Sequence, residues 1–220
     1  MPLIADAVHL WRADLDCPPV PFAALAGTLS PDEHARAGRL RRPLDRSRFV
    51  AARGLLRLLL GEALGLPPGG LRFTYGPHGK PTLAGDGVGD GVGDGTGLHF
   101  NLSHSDGQAL FALSAGRGVG VDIERVRDDF PVASLAARYL PPPQAAALSV
   151  LLPAAQPAAF CRAWVRHEAV LKARGSGLAA PAPLDADPAR WTLLDLELPP
   201  PYRAALAVEG PNVRVEWRDF

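Results

Sequence analysis

Asp122 and Glu124 stand two residues apart in the apolar run Val119-Gly120-Val121-Asp122-Ile123-Glu124. Glu168 and Lys172 stand four apart in Trp164-Val165-Arg166-His167-Glu168-Ala169-Val170-Leu171-Lys172. On a strand, residues i and i+2 share a face; on a helix, residues i and i+4 do. Three carboxylates and one ammonium can therefore converge if the first run is a strand and the second a helix. Such a set suits a hard divalent cation with a bound phosphate. Each pair alone also has an ordinary structural reading, since acids are common at strand ends and a Glu-to-Lys pair at i,i+4 steadies a solvated helix.

The basic residues add a second signal. Lys80 and Lys172 are the only lysines among 23 Lys and Arg residues, and a compact point charge is not interchangeable with a guanidinium. Lys80 sits in Gly79-Lys80-Pro81. Arg36, Arg39, Arg41, Arg42, Arg46, Arg48, Arg53 and Arg57 crowd one region, with only Asp32, Glu33 and Asp45 as local acids. That region reads either as a charged outer helix face or as a rim for a polyanionic ligand, to which arginine is suited by its bidentate contacts. His167-Glu168 lacks the second histidine of a zinc-protease helix, because Leu171 stands in its place. Ser103 and His104 are neighbours on an extended segment and point to opposite faces, so they suit anion contacts better than a nucleophile–base pair.

The elements that must position these residues follow from periodicity and turn chemistry. Val8–Leu15 reads as a strand. Ser30-Pro31-Asp32-Glu33 opens a helix with a capping box. Pro43–Leu64 reads as a longer helix with Phe49, Ala52, Leu55, Leu56, Leu59 and Leu60 on one face and Gly65 at its end. Leu71–Tyr75, Leu98–Leu102, Ala109–Ser114 and Gly118–Ile123 are strand-like, and Ser103–Gly107 reads as a polar turn. Prolines 141–143 and Pro153 break the next region. Pro157 opens the helix bearing Glu168 and Lys172, which Gly175-Ser176-Gly177 stops. Trp191–Leu198, Tyr202–Val208 and Val213–Trp217 are further strands. Helices and hairpin-like strands together predict an α+β fold. Residues 85–97, GDGVGDGVGDGTG, are low in complexity and read as a flexible surface loop.

Composition bounds the function. With 220 residues the chain can bury a proper core. The formal net charge is +0, which argues against a whole-protein attraction to nucleic acid or to a membrane surface. Cys17 and Cys161 lack any paired spacing and fit a reduced compartment. The first residues lack the pattern of a signal peptide, and nothing approaches the roughly 20 apolar residues of a membrane span. A monomeric cytoplasmic protein is expected.

The order of the motifs is more specific than any one of them. Arg48-Phe49-Val50-Ala51-Ala52-Arg53, Gly79-Lys80-Pro81, Phe100-Asn101-Leu102-Ser103-His104-Ser105, Gly120-Val121-Asp122-Ile123-Glu124 and Trp164-x-x-x-Glu168-Ala169-x-x-Lys172-x-x-Gly175-x-Gly177-Leu178 follow one another along the chain. In this order they resemble the Sfp-type 4′-phosphopantetheinyl transferases over nearly the whole sequence. The resemblance implies a pseudo-dimer of two similar α+β halves, residues 1–116 and 117–220, with the active site in the cleft between them. It implies Mg²⁺ on Asp122, Glu124 and Glu168, and coenzyme A held by Arg48, Arg53, Lys80, Ser103, His104 and Lys172. Asp122, Glu168 and Lys172 would be catalytic, with Glu168 or a water it holds as the base. The implied reaction moves 4′-phosphopantetheine from coenzyme A to a serine of an acyl or peptidyl carrier protein, releasing 3′,5′-ADP. The sequence does not say whether the carrier serves fatty-acid, polyketide or peptide synthesis. One departure stands at His167, where the family usually has lysine; a histidine of pKa about 6.5 is only partly charged at neutral pH. The alternative that this residue favours is a paralogue that binds coenzyme A or a carrier without efficient transfer.

Overall fold

The structure, a computed structural model, describes residues 7–84, 97–176 and 190–220. In chain order its elements are β1 (Ala7–Asp14), α1 (Phe22–Thr28), α2 (Pro31–Gly38), α3 (Pro43–Leu64), β2 (Phe73–Tyr75), β3 (Pro81–Leu83), β4 (Leu98–Ser105), β5 (Gln108–Ala115), β6 (Val119–Arg125), α4 (Val132–Tyr139), α5 (Pro142–Ser149), α6 (Gln156–Arg174), β7 (Trp191–Leu196), β8 (Tyr202–Glu209) and β9 (Arg214–Arg218). The α+β class is as expected. The Gly/Asp segment before Gly97, and Gly177 and Leu178 of the last motif, lie outside the described residues.

Alternation along the strands builds four layers. One sheet has the order β4-β5-β1-β9 and a second has β6-β8-β7. Trp11, Phe111 and Leu113 of the first sheet pack with Leu55, Leu56 and Leu60 of α3. The neighbouring residues Val8, Leu10, Leu110 and Ala112 point the other way, onto Val119, Val121, Ile123, Leu206 and Val208 of the second sheet. The far face of that sheet, through Ala205 and Ala207, receives Val165, Ala169 and Ala173 of α6. Each sheet therefore carries one long helix outside and meets the other sheet inside. The strand β9 pairs in parallel with β1, Val8 opposite Val215, so the last strand completes the first sheet.

The two long helices end where the sequence indicates, with Gly65 (φ +67°) and Gly175 (φ +70°) in the left-handed region. The helices α1, α4 and α5 go beyond the elements that periodicity predicts. Prolines 141–143 read as breakers, yet α5 begins at Pro142; the missing proline N–H costs nothing in a first helical turn. The expected turn at Ser103–Gly107 is shorter. Ser103, His104 and Ser105 continue β4, opposite Leu110, Ala109 and Gln108, and Asp106 (φ 51°) with Gly107 makes the turn. Ser103 and Ser105 persist in this strand because they face another strand instead of water.

Candidate active site

Both β4 and β6 are edge strands, and the polar side chains of one satisfy the backbone of the other. Asn101 Oδ1 accepts the Val121 N–H at 2.9 Å, Ser103 Oγ accepts that of Ile123 at 3.3 Å, and Ser105 Oγ accepts that of Arg125 at 3.1 Å. These donors and acceptors repeat every second residue, the period of a strand face. The two serine hydroxyls also donate forward: Ser103 to Asp122 Oδ1 at 2.8 Å and Ser105 to Glu124 Oε2 at 2.7 Å. A side-chain ladder thus joins the sheets and orients both acids.

Gly120 brings α6 onto β6. A Cβ there would stand 2.2 Å from the Ala169 carbonyl oxygen and 2.3 Å from the Ala173 nitrogen, so only glycine permits this crossing. One helical turn around the crossing carries Glu168 and Lys172. Lys172 Nζ donates to Asp122 Oδ1 at 2.6 Å and to Ser103 Oγ at 2.9 Å.

Burial sets the electrostatics. Asp122 is 2% exposed, and burial holds its pKa above the usual carboxylate range although Lys172 pulls the other way. Burial also raises Glu124, with the Asp122 charge adding to it and Ser105 opposing. Glu168 is pushed up to about 7, first by burial and then by the Asp122 charge. Asp122 Oδ2 and Glu168 Oε1 are both buried and accept no hydrogen bond. Orphaned carboxylate oxygens in a buried setting are costly unless something positive reaches them. Hard oxygen donors of this kind fit a Mg²⁺-like cation. Among the described residues, no three acidic, histidine or cysteine side chains already stand as a preformed metal cluster. Lys172 occupies the space beside Asp122 instead.

Two cavities flank this centre. One of about 310 Å³ is lined by Lys80, Pro81, Asn101, Glu168, Leu171 and Lys172. The other, of about 600 Å³, is lined by Glu124, Phe130, Tyr139, Phe160, Cys161 and Trp164, with Arg125 and Arg127 among its polar groups.

The remaining expected residues are distributed as follows. His104 lies on the opposite face of β4 from Ser103 with an edge open to solvent; partial burial of the ring, then the Lys172 and Arg48 charges, lower its pKa. Arg48 makes a two-pronged pair with Asp16, both bonds 2.7 Å. Arg53 is buried elsewhere: it donates to Glu33 at 2.7 Å and its guanidinium lies 4.7 Å from the centre of the Phe73 ring. Lys80 Nζ donates to the Ala173 carbonyl at 2.8 Å and the Val119 carbonyl at 3.4 Å, and burial lowers its pKa to about 8. It thereby ties α6 to β6. His167 is 7% exposed, its ring 6.2 Å from that of Trp164, and burial lowers its pKa. Sequence reasoning assigns no role to Asn101 or Ser105. The signal stands in Asn101-x-Ser103-x-Ser105, three polar residues on one strand face.

Comparison with known proteins identifies the family. Residues 118–209 match the family model of the 4′-phosphopantetheinyl transferase superfamily. The chain is 42% identical to the 4′-phosphopantetheinyl transferase HetI of Nostoc sp. over 220 residues, spanning 94% of this chain and 90% of that protein. It is 34% identical to a putative 4′-phosphopantetheinyl transferase of Synechocystis sp., over 78% of this chain and 66% of the relative. The AcpT transferase of Salmonella typhimurium is 37% identical over 54% of this chain and 56% of its own. The chain belongs to the 4′-phosphopantetheinyl transferase family. It is an enzyme of that class, with the mixed fold and the ordered motifs described above.

Proposed function

We propose that the chain transfers 4′-phosphopantetheine from coenzyme A to a serine of an acyl or peptidyl carrier protein, with Mg²⁺ held by Asp122, Glu124 and Glu168. The observation that carries this reading is the pairing of Lys172 with Asp122 where α6 crosses β6, with one buried oxygen of Asp122 and one of Glu168 left unbonded. Bound Mg²⁺ would neutralise charge on the pyrophosphate.

The chain's own groups supply the rest. Lys172 moves from Asp122 to the pyrophosphate, and His104, Arg48 and Lys80 border the nucleotide's phosphates. Ser103 works beneath the site by orienting Asp122, and Arg53 holds the α3 end of the rim through Glu33. The carrier serine gives its proton to Glu168, or to a water Glu168 holds, as its oxygen bonds to the β-phosphorus. The bond from that phosphorus to the bridging oxygen breaks, and 3′,5′-ADP leaves. The aromatic cavity beside Glu124 accepts the pantetheine arm. The reaction would take place in the cytoplasm, on a monomer. No helix among the described residues is long and apolar enough to cross a membrane.

Incubation with an apo-carrier protein, coenzyme A and Mg²⁺ should raise the carrier's mass by one phosphopantetheine, and replacing the carrier serine should abolish the gain. An unchanged mass across fatty-acid, polyketide and peptide carriers overturns the proposal.

A further inference from the structure

We propose that Ser105 is a positioning residue of the cation site: its hydroxyl fixes the carboxylate of Glu124 from the end of the β4–β5 hairpin. The inference rests on the cation reading above and gives a role to the last residue of the Phe100–Ser105 motif.

A serine hydroxyl has one proton to give. Ser105 Oγ accepts the Arg125 N–H at 3.1 Å, so one of its lone pairs is taken, and its proton points to Glu124 Oε2 at 2.7 Å. The direction of that proton is thus set by the backbone of the strand that carries Glu124. The same hairpin end is anchored a second time. Asp106, in the turn, accepts Arg125 at 2.9 Å and Arg127 at 2.7 Å. Ser105 and Asp106 therefore clamp β6 on the C-terminal side of Glu124, while Asn101 and Ser103 clamp it before. Glu124 lies at the rim, partly open to the larger cavity, where its side chain would otherwise sample several rotamers. Holding one oxygen through a neutral donor leaves the charge in place and the other oxygen available. This is how an outer hydrogen bond prepares an acid for a metal.

The test is Mn²⁺ binding to chelator-stripped protein with coenzyme A present and no carrier, followed by the EPR signal of the free ion. Ser105→Ala should weaken Mn²⁺ affinity by about tenfold, the lower end for a lost outer-shell partner. Ser105→Thr, which keeps the hydroxyl, should bind close to wild type. Excess Mg²⁺ should restore turnover to Ser105→Ala. Equal Mn²⁺ affinity in Ser105→Ala and wild type overturns the inference, as does equal weakening in the Ala and Thr variants. Wild-type protein that binds no Mn²⁺ overturns the cation reading itself, a different failure.

Discussion

Lys172 and Asp122 form a 2.6 Å ion pair across the α6–β6 crossing, and Ser103 closes the triangle by bonding both. The lysine side chain remains 29% exposed while the aspartate is almost sealed. The pair is thus a buried acid reached by a cation from the cavity side, and only the cation is free to swing away.

Replacing Lys172 by Met should lower turnover by about 100-fold or more, as loss of one preorganised charge donor does. It should also destabilise the protein, because Asp122 is left as an uncompensated buried charge. Adding Asp122→Asn to Lys172→Met should restore the melting temperature but not the activity. A double variant no more stable than Lys172→Met alone sinks this account.

The pH dependence of the metal-stripped protein should carry the signature of Glu168. Its folded pKa is about 7 against an ordinary value of 4.5, so the folded state binds more protons than the unfolded one between those limits. Stability then falls as pH rises through that window, by up to roughly 3 kcal/mol from this group, less whatever share water screens at the cavity mouth. Urea titrations in chelator at pH 5 and pH 7.5 should show the drop, and Glu168→Gln should flatten it. Added Mg²⁺ should reverse it by favouring the ionised form.

Gly120→Ala is expected to be the most damaging one-carbon change in the fold, because the new methyl meets the backbone of α6. A loss of about 3 kcal/mol, at the upper end for overpacking, is expected. Gly27 in α1 has nothing within 4 Å of where a methyl would stand, so Gly27→Ala should gain up to about 1 kcal/mol from helix propensity. Chemical denaturation of both variants measures the contrast.

Glu33→Gln should cost about 3–5 kcal/mol, the usual penalty for breaking a buried ion pair. Glu33 accepts Arg53 at 2.7 Å and Arg57 at 2.6 Å, with Arg57 only 1% exposed. Although burial pushes Glu33 up, the two arginines bring its pKa below the usual value. Its contribution is therefore full above the ordinary carboxylate range and fades on acidification. Denaturant midpoints at pH 7 and pH 4 should differ less in the variant than in wild type.

His167→Lys should reduce stability without raising turnover by orders of magnitude. The imidazole is packed beside Trp164, where burial disfavours its charged form, so a lysine there must bury its charge or leave the core. Thermal melts and steady-state rates on the same carrier decide it.

The long helices are legible in the sequence because their apolar periodicity runs for several turns and glycines end them. Asp122, Glu124, Glu168 and Lys172 can likewise be placed together, since the 2 and 3.6 residue periods predict shared faces. The partner of each polar group cannot be read in this way. Ser103 and Ser105 look solvated in one dimension; in three they are the backbone partners of β6. Arg53 belongs to a basic run whose acid, Glu33, lies 20 residues away. Lys80 reads only as a phosphate contact in sequence; its bonds to carbonyls on α6 and β6 need the fold to be seen. The proline-led α5 is hidden because one residue type both breaks and begins helices.

The pairing of β1 with β9 has a consequence for synthesis. Ala7–Trp11 takes its parallel neighbour from Arg214–Arg218, so β1 waits for a strand that is made much later. The sheet under α3 stays incomplete on one edge until β9 has been made. A chain still lacking β9 would need that edge shielded, which makes the yield of folded protein depend on how quickly β9 docks.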